Sequence, residues 1–177
     1  MKRVSRRAVL GAMGGALLLA ASGLAVVRTR GYDVSKDVAE RLRVLSPWQY
    51  VVLAAAARRV AAPDVDDGSV PTTDEVDVAG FVDRYLEQLP APMRRDFLRL
   101  LAFVEHLAPL GCKLSSRFTR LSAAEQDRVL ASLESSSEGL LRGGFDGLKS
   151  AIFMGYYRDP RTWKILGYAG PFVSRGA

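Results

Sequence analysis

The chain has 177 residues, and its formal net charge of +6 is unevenly distributed. Six of the 25 basic residues, but none of the 19 acidic ones, lie in residues 1–30, so the rest of the chain is neutral. The basic balance therefore gives no indication of a nucleic-acid partner, which would need a basic patch on the folded domain. One cysteine and one histidine are too few for a structural zinc site, and they exclude an internal disulfide.

The N-terminal segment has the pattern of an export signal. Arg6 and Arg7 follow a serine and precede an uncharged apolar run over residues 8–27. This pattern is typical of a twin-arginine signal, and a helix of that length could also span a bilayer. We predict that residues 1–30 are a twin-arginine signal, read by the twin-arginine translocase, or a membrane anchor helix. An ordinary secretory signal remains an alternative, and in each case basic flanks place the domain outside the cytoplasm.

The remaining chain is expected to be helical behind a short tether over residues 31–44, within which 34–44 could form a short helix. Ser46 and Ser122 each begin a capping box, Ser-x-x-Gln and Ser-x-x-Glu, and helical spacing of apolar residues follows both. No stretch shows the alternation of a strand. Five helices are predicted, at 46–60, 76–89, 93–107, 122–133 and 138–156.

The predicted fold class is therefore all-α, with a single helical domain of about five main helices over 45–177 behind an N-terminal signal or anchor helix. The helix at 93–107 has the broadest apolar face, so we expect it at the centre of the core.

Two clusters could serve acid–base catalysis, but each has a simpler explanation. Asp64, Asp66 and Asp67 lie in an acidic segment over 63–75 that lacks the glycine and glutamate positions of an EF-hand, so a solvated connector is expected. Glu105 and His106 end a helix, where a histidine interacts with the helix dipole. There is no glycine-rich phosphate loop and no Cys-x-x-Cys-His haem motif. We predict no catalytic, cofactor-binding or metal-binding residue in this chain.

The C-terminal segment concentrates aromatic side chains between glycines and prolines. Five of the fifteen aromatic residues lie within residues 156–172. Aromatic side chains with polar tips are enriched at protein interfaces, although they also pack within cores. The candidate partner-binding residues are Tyr156, Tyr157, Trp163, Tyr168 and Pro171.

Three segments, in order along the chain, resemble the gluconate 2-dehydrogenase subunit 3 family. The strongest is MGYYRDP at 154–160 with Trp163 and LGYAGP at 166–171. LSPWQ at 45–49 resembles the family's first helix, and FTRLSAAE at 118–125 resembles its central segment. The resemblance covers about 45–172.

The resemblance implies a small accessory subunit that accompanies a large flavin dehydrogenase of the glucose–methanol–choline type. The large subunit would carry FAD and the chemistry and would lack a signal of its own. The small subunit would supply export, to the periplasm or the periplasmic face of the inner membrane, and would help the large subunit mature. A cytochrome c subunit often completes such a complex as electron acceptor.

The resemblance also makes Cys112 a candidate for a disulfide to the large subunit, the alternative being an inert free thiol. Two other functions stay open at this point. One is a membrane-anchored, exported helical binding domain unrelated to redox chemistry, and the other is a free-standing exported enzyme.

Overall fold

The computed structural model of the chain describes residues 31–61 and 68–170. Two units divide the chain, Met1–Asp33 and Val34–Ala177, and nearly all described residues belong to the second. Arg6, Arg7 and Pro171 therefore lie outside the described residues. Within the described ranges no helix has the length and the apolar content needed to cross a membrane.

The predicted all-α class is confirmed, because every regular element in the described part of the chain is helical. The five predicted main helices are present, with ends that differ from the prediction by about two residues. The α-helices are α1 (Lys36–Arg41), α2 (Pro47–Val60), α3 (Val78–Gln88), α4 (Ala91–His106), α5 (Ala108–Gly111), α6 (Ala123–Glu134) and α7 (Gly139–Tyr157), and the 3₁₀ turns are η1 (Phe118–Arg120) and η2 (Pro160–Leu166).

The centre of the core is α2. Its six consecutive residues 52–57 are all buried, and it packs against α3, α4, α6, α7 and η1. Four of those six residues are alanines, so neighbouring helices can approach this helix from every side. Different elements of the fold therefore cover the apolar surface of α2 on its different sides.

The prediction that 93–107 forms the centre of the core was wrong. In α4 only Leu101, Val104 and Glu105 are buried, while Met93 is 58% exposed and Leu107, just after its end, is 52% exposed. The apolar face of α4 is wider than its contact with α2, and the remainder of that face reaches the surface.

Asp83 fixes the chain where it enters α2. Its carboxylate, 2% exposed, accepts hydrogen bonds from three consecutive backbone N–H groups: Arg43 at 2.8 Å, Val44 at 3.0 Å and Leu45 at 2.7 Å. The segment predicted to be a tether, 31–44, thus contains α1 and ends in residues that α3 holds.

The second half of the acidic connector is integrated into the domain, so the prediction of a solvated loop was wrong for this part. Pro71 and Thr73 are buried, although Asp74 and Glu75 are exposed, and the Pro71 carbonyl accepts a hydrogen bond from the hydroxyl of Tyr156 at 2.9 Å. The aspartates at 64, 66 and 67 lie outside the described residues.

Gly155 permits close packing of α7 on α3. A Cβ at this position would lie 3.0 Å from Cδ1 of Phe81 and 3.1 Å from Cγ1 of Val78. Gly147, two turns earlier on α7, has no atom within 4 Å of the corresponding point. On the same helix, Gly155 is therefore closely packed, whereas Gly147 has space for a side chain.

This contrast gives a matched stability prediction. Gly155→Ala is expected to lower the free energy of unfolding by about 1–2 kcal/mol, because the new methyl group forces α3 and α7 apart. Gly147→Ala is expected to raise it by about 0.5–1 kcal/mol, because alanine loses less backbone entropy in a helix. Urea unfolding followed by circular dichroism measures both, and a shift of the same sign in the two variants would contradict the close approach.

Candidate partner-binding surface

The family-like C-terminal residues form a folded segment after α7, which we call the C-terminal strap (residues 158–170). Asp159 begins η2 by accepting a hydrogen bond from the backbone N–H of Arg161 at 2.9 Å. The Arg161 guanidinium binds the same carboxylate, with Nη2 2.7 Å from Oδ2. The side chain and backbone N–H of Arg161 hold the pKa of Asp159 below its ordinary 3.8, at about 2. The carboxylate therefore stays ionised except in strong acid.

Tyr156 is a core residue, which corrects its assignment to the partner-binding surface. Its side chain is 1% exposed, and its hydroxyl donates to Pro71 in the connector ahead of α3. The pKa of Tyr156 is raised, chiefly by burial. The sequence alone does not distinguish aromatic residues that bind a partner from aromatic residues that pack in the core, because both occur close together.

Two further residues hold the strap against the domain. Arg158 donates from Nη2 to the Val76 carbonyl at 2.9 Å and lies over the Phe81 ring, 5.1 Å from its centroid. Thr162 is fully buried, and its hydroxyl lies 3.3 Å from the Tyr156 carbonyl in α7 and 2.8 Å from the Asp159 carbonyl. Arg158 therefore attaches the strap to α3 and to the residue Val76 ahead of it, and Thr162 attaches the strap to the end of α7.

Three of the predicted partner-binding aromatics lie next to each other at the strap. Trp163 is half-buried and donates from Nε1 to the Tyr157 carbonyl at 2.8 Å. The ring of Tyr168 meets the Trp163 ring edge-on at 5.2 Å. Tyr157 is half-buried, and Tyr168 is 42% exposed. The Trp163 and Tyr168 rings therefore contact each other, and all three side chains still reach the surface.

Two exposed aliphatic residues of the strap were not predicted. Ile165 is 42% exposed and Leu166 is 57% exposed, both in the last turn of η2. Gly167, with a φ of 62°, then ends the turn in the left-handed region that glycine tolerates. The sequence signal that could have indicated their exposure is a pair of aliphatic residues directly before a glycine, in a segment too short to bury both side chains.

Cys112 lies elsewhere, directly after α5. It is half-buried, and its Sγ lies 3.4 Å from Oγ of Ser132 on α6. The intersubunit disulfide at Cys112 stays a prediction.

The Glu105–His106 cluster holds the fold together at η1. Glu105 is fully buried and accepts hydrogen bonds from Thr119, at 2.7 Å from Oγ1 and 3.1 Å from the backbone N–H. Arg117 lies 3.6 Å from the same carboxylate, and the His106 ring lies 5.7 Å from that of Trp48. In the described ranges no three histidine, cysteine or acidic side chains are grouped to hold a metal ion.

A groove of about 290 Å³ lies between α2, α6 and α7, and paired charges line it. Arg59 of α2 binds Asp127 of α6 through two nitrogens, at 2.6 and 2.7 Å. Lys149 of α7 binds Glu134 of α6 at 2.5 Å. These charged groups are engaged with each other and tie α6 to its neighbours.

The described residues thus define a small, all-helical domain that carries a fixed C-terminal segment with exposed apolar side chains. The sequence model of the gluconate 2-dehydrogenase subunit 3 family matches residues 47–170, and the chain belongs to this family. The match begins at the first residue of α2 and ends within the strap, and it confirms the resemblance drawn from the sequence. A search of curated proteins and a search of solved structures each gave no match. The family's name makes its members subunits of a dehydrogenase complex.

Proposed function

We propose that this chain is the small, non-catalytic subunit of an FAD-dependent sugar or alcohol dehydrogenase complex in the periplasm or at its membrane. Its role is to carry the twin-arginine export signal for the complex and to help the catalytic flavoprotein subunit mature and remain stable. The observation that carries the proposal is the family match, which extends over α2 to the strap.

One observation supports the export role, and a second supports the non-catalytic role. Arg6 and Arg7 precede an uncharged apolar run in the pattern of a signal for folded cargo. The candidate acid–base group Glu105 is fully buried and bonded to Thr119, so it serves the fold. If this chain binds no cofactor, as we predict, a signal for folded proteins is explained by FAD bound to the partner. A cytochrome c subunit would accept the electrons.

The test is export of the partner. We expect that Arg6→Lys with Arg7→Lys, in this chain co-expressed with the flavin dehydrogenase that the proposal expects to be encoded beside its gene, retains both proteins in the cytoplasm. Most dehydrogenase activity should then move from the periplasmic or membrane fraction to the cytoplasmic fraction. Arg3→Lys is the matched control, because it makes the same chemical change outside the arginine pair and should leave export intact.

Three results would contradict the proposal. The flavin subunit could reach the periplasm with the double variant as efficiently as with the wild type. The purified chain could turn over a sugar or alcohol by itself, as a free-standing enzyme would. The neighbouring genes could lack a flavin dehydrogenase, as expected for a membrane-anchored binding domain unrelated to redox chemistry.

A further inference from the structure

We propose that the exposed end of the strap, formed by Ile165, Leu166 and Tyr168 beside the cationic Lys164, is the surface on which the catalytic flavoprotein subunit docks. The matching site on that subunit would be apolar with an acidic rim. This inference rests on the proposed function, since it assigns the part of the chain that contacts the partner.

The first support is the exposure of three large hydrophobic side chains within four consecutive residues. Ile165 and Tyr168 are each 42% exposed and Leu166 is 57% exposed. Single exposed hydrophobic residues are common on protein surfaces, but contiguous groups of them mark binding sites. All three side chains belong to the same short stretch of the chain, residues 165–168, at the exposed end of the strap.

The second support is that the patch is held in place before any partner binds. Thr162 anchors the turn from the inside, and Trp163 is fixed by its hydrogen bond to the Tyr157 carbonyl. The Gly167 N–H closes the turn on the Lys164 carbonyl at 3.1 Å. A surface that is already ordered loses little conformational entropy on binding.

The third support is the charge of the strap. Arg158, Arg161 and Lys164 outnumber the single acidic residue, Asp159, over residues 158–164. Basic groups beside an apolar patch favour a partner whose rim is acidic, since complementary charges accelerate encounter and set the orientation.

The charge argues against a second copy of this chain as the occupant. In a twofold dimer the patch would meet its own copy and bring like charges together. Binding to a membrane is distinguished from binding to the flavoprotein subunit by the experiment below.

The experiment measures binding of the full chain to the flavin dehydrogenase that the proposed function expects to be encoded beside its gene, after co-expression and purification of the complex. Leu166→Asp is expected to weaken the complex by roughly 30-fold, the effect of losing one interface hot spot. Lys164→Glu should also weaken it and should reduce the salt dependence of association. Leu140→Asp is the matched control, because Leu140 is 88% exposed at the start of α7 and should leave affinity unchanged.

The outcomes separate this inference from the proposed function. If wild type binds and Leu166→Asp binds equally well, or if Leu140→Asp weakens binding as much, the docking surface is wrong and the proposed function stands. If wild type does not bind the flavin subunit, both fail. Self-association of the wild type that Leu166→Asp abolishes, or binding to anionic vesicles that depends on Leu166, would assign the patch to another occupant and overturn the inference. Circular dichroism verifies that each variant is folded.

Discussion

Asp83→Ala is expected to lower the free energy of unfolding by about 3–5 kcal/mol, because each hydrogen bond to a charged group contributes about 1.5–3 kcal/mol and the N–H of Leu45 is left buried without an acceptor. One carboxylate on α3 serves the backbone N–H groups of Arg43, Val44 and Leu45. Alanine removes all three hydrogen bonds, and the side chain lies where water has little access. Urea unfolding at neutral pH measures the loss, and hydrogen exchange at residues 43–45 should accelerate.

The matched control is Glu87→Ala, one turn further along α3. Glu87 pairs with the Arg43 side chain at 2.6 Å, and its own side chain is 48% exposed. Solvent screens such a pair, so the expected loss is about 0.2–1 kcal/mol. Equal losses for the two variants would show that the three backbone hydrogen bonds contribute no more than one surface ion pair.

A second large effect is expected at Glu105. Glu105→Ala should lower the free energy of unfolding by about 3–5 kcal/mol, because it removes the carboxylate beside the largely buried Arg117 guanidinium. Thr119 loses its acceptor for both Oγ1 and the backbone N–H, and Arg117, whose side chain is 12% exposed, loses a nearby carboxylate. The connection between α4 and η1 would then depend on apolar packing around Phe118.

Thermal and urea unfolding of Glu105→Ala can be compared with Glu134→Ala, which breaks the Lys149 ion pair at a side chain that is 56% exposed. The control should change stability by less than about 1 kcal/mol. A Glu105→Ala protein as stable as wild type would refute the structural role assigned to this carboxylate. So would a catalytic turnover of the wild type that a folded Glu105→Ala protein has lost.

The helices were predictable because their signals are local. Gln49 accepts the Ser46 backbone N–H at 2.9 Å, and Glu125 accepts that of Ser122 at 2.9 Å, as the two capping boxes predicted. Each signal spans four residues, so neither depends on the rest of the fold. This locality explains why the main helices and the all-α class were confirmed.

The arrangement of the core was less predictable, because it depends on contacts between residues far apart in sequence. Asp83 binds amides that lie 38 to 40 positions away, and Tyr156 bonds to Pro71 over 85 positions. Nothing in the neighbourhood of either residue indicates such a partner. The width of the apolar face on α4 likewise gave no information on how much of that face other helices would cover.

The candidate surface was predictable only in part. Aromatic enrichment indicated the correct segment, but it could not separate the buried Tyr156 from the exposed Tyr168. That division follows from the backbone path: Tyr156 faces inward from α7, while Tyr168 follows the left-handed residue Gly167. Ile165 and Leu166 were missed because a short 3₁₀ turn has no long-range periodicity to analyse.

The position of Asp83 also determines how the domain would respond to mechanical load. Tension applied to the chain ahead of residue 43 reaches α2 only through the three residues that Asp83 holds. The three hydrogen bonds to the Asp83 carboxylate would have to break before this force could separate α2 from its neighbours. The force would pass instead into α3 and from there into α7, which packs on it at Gly155.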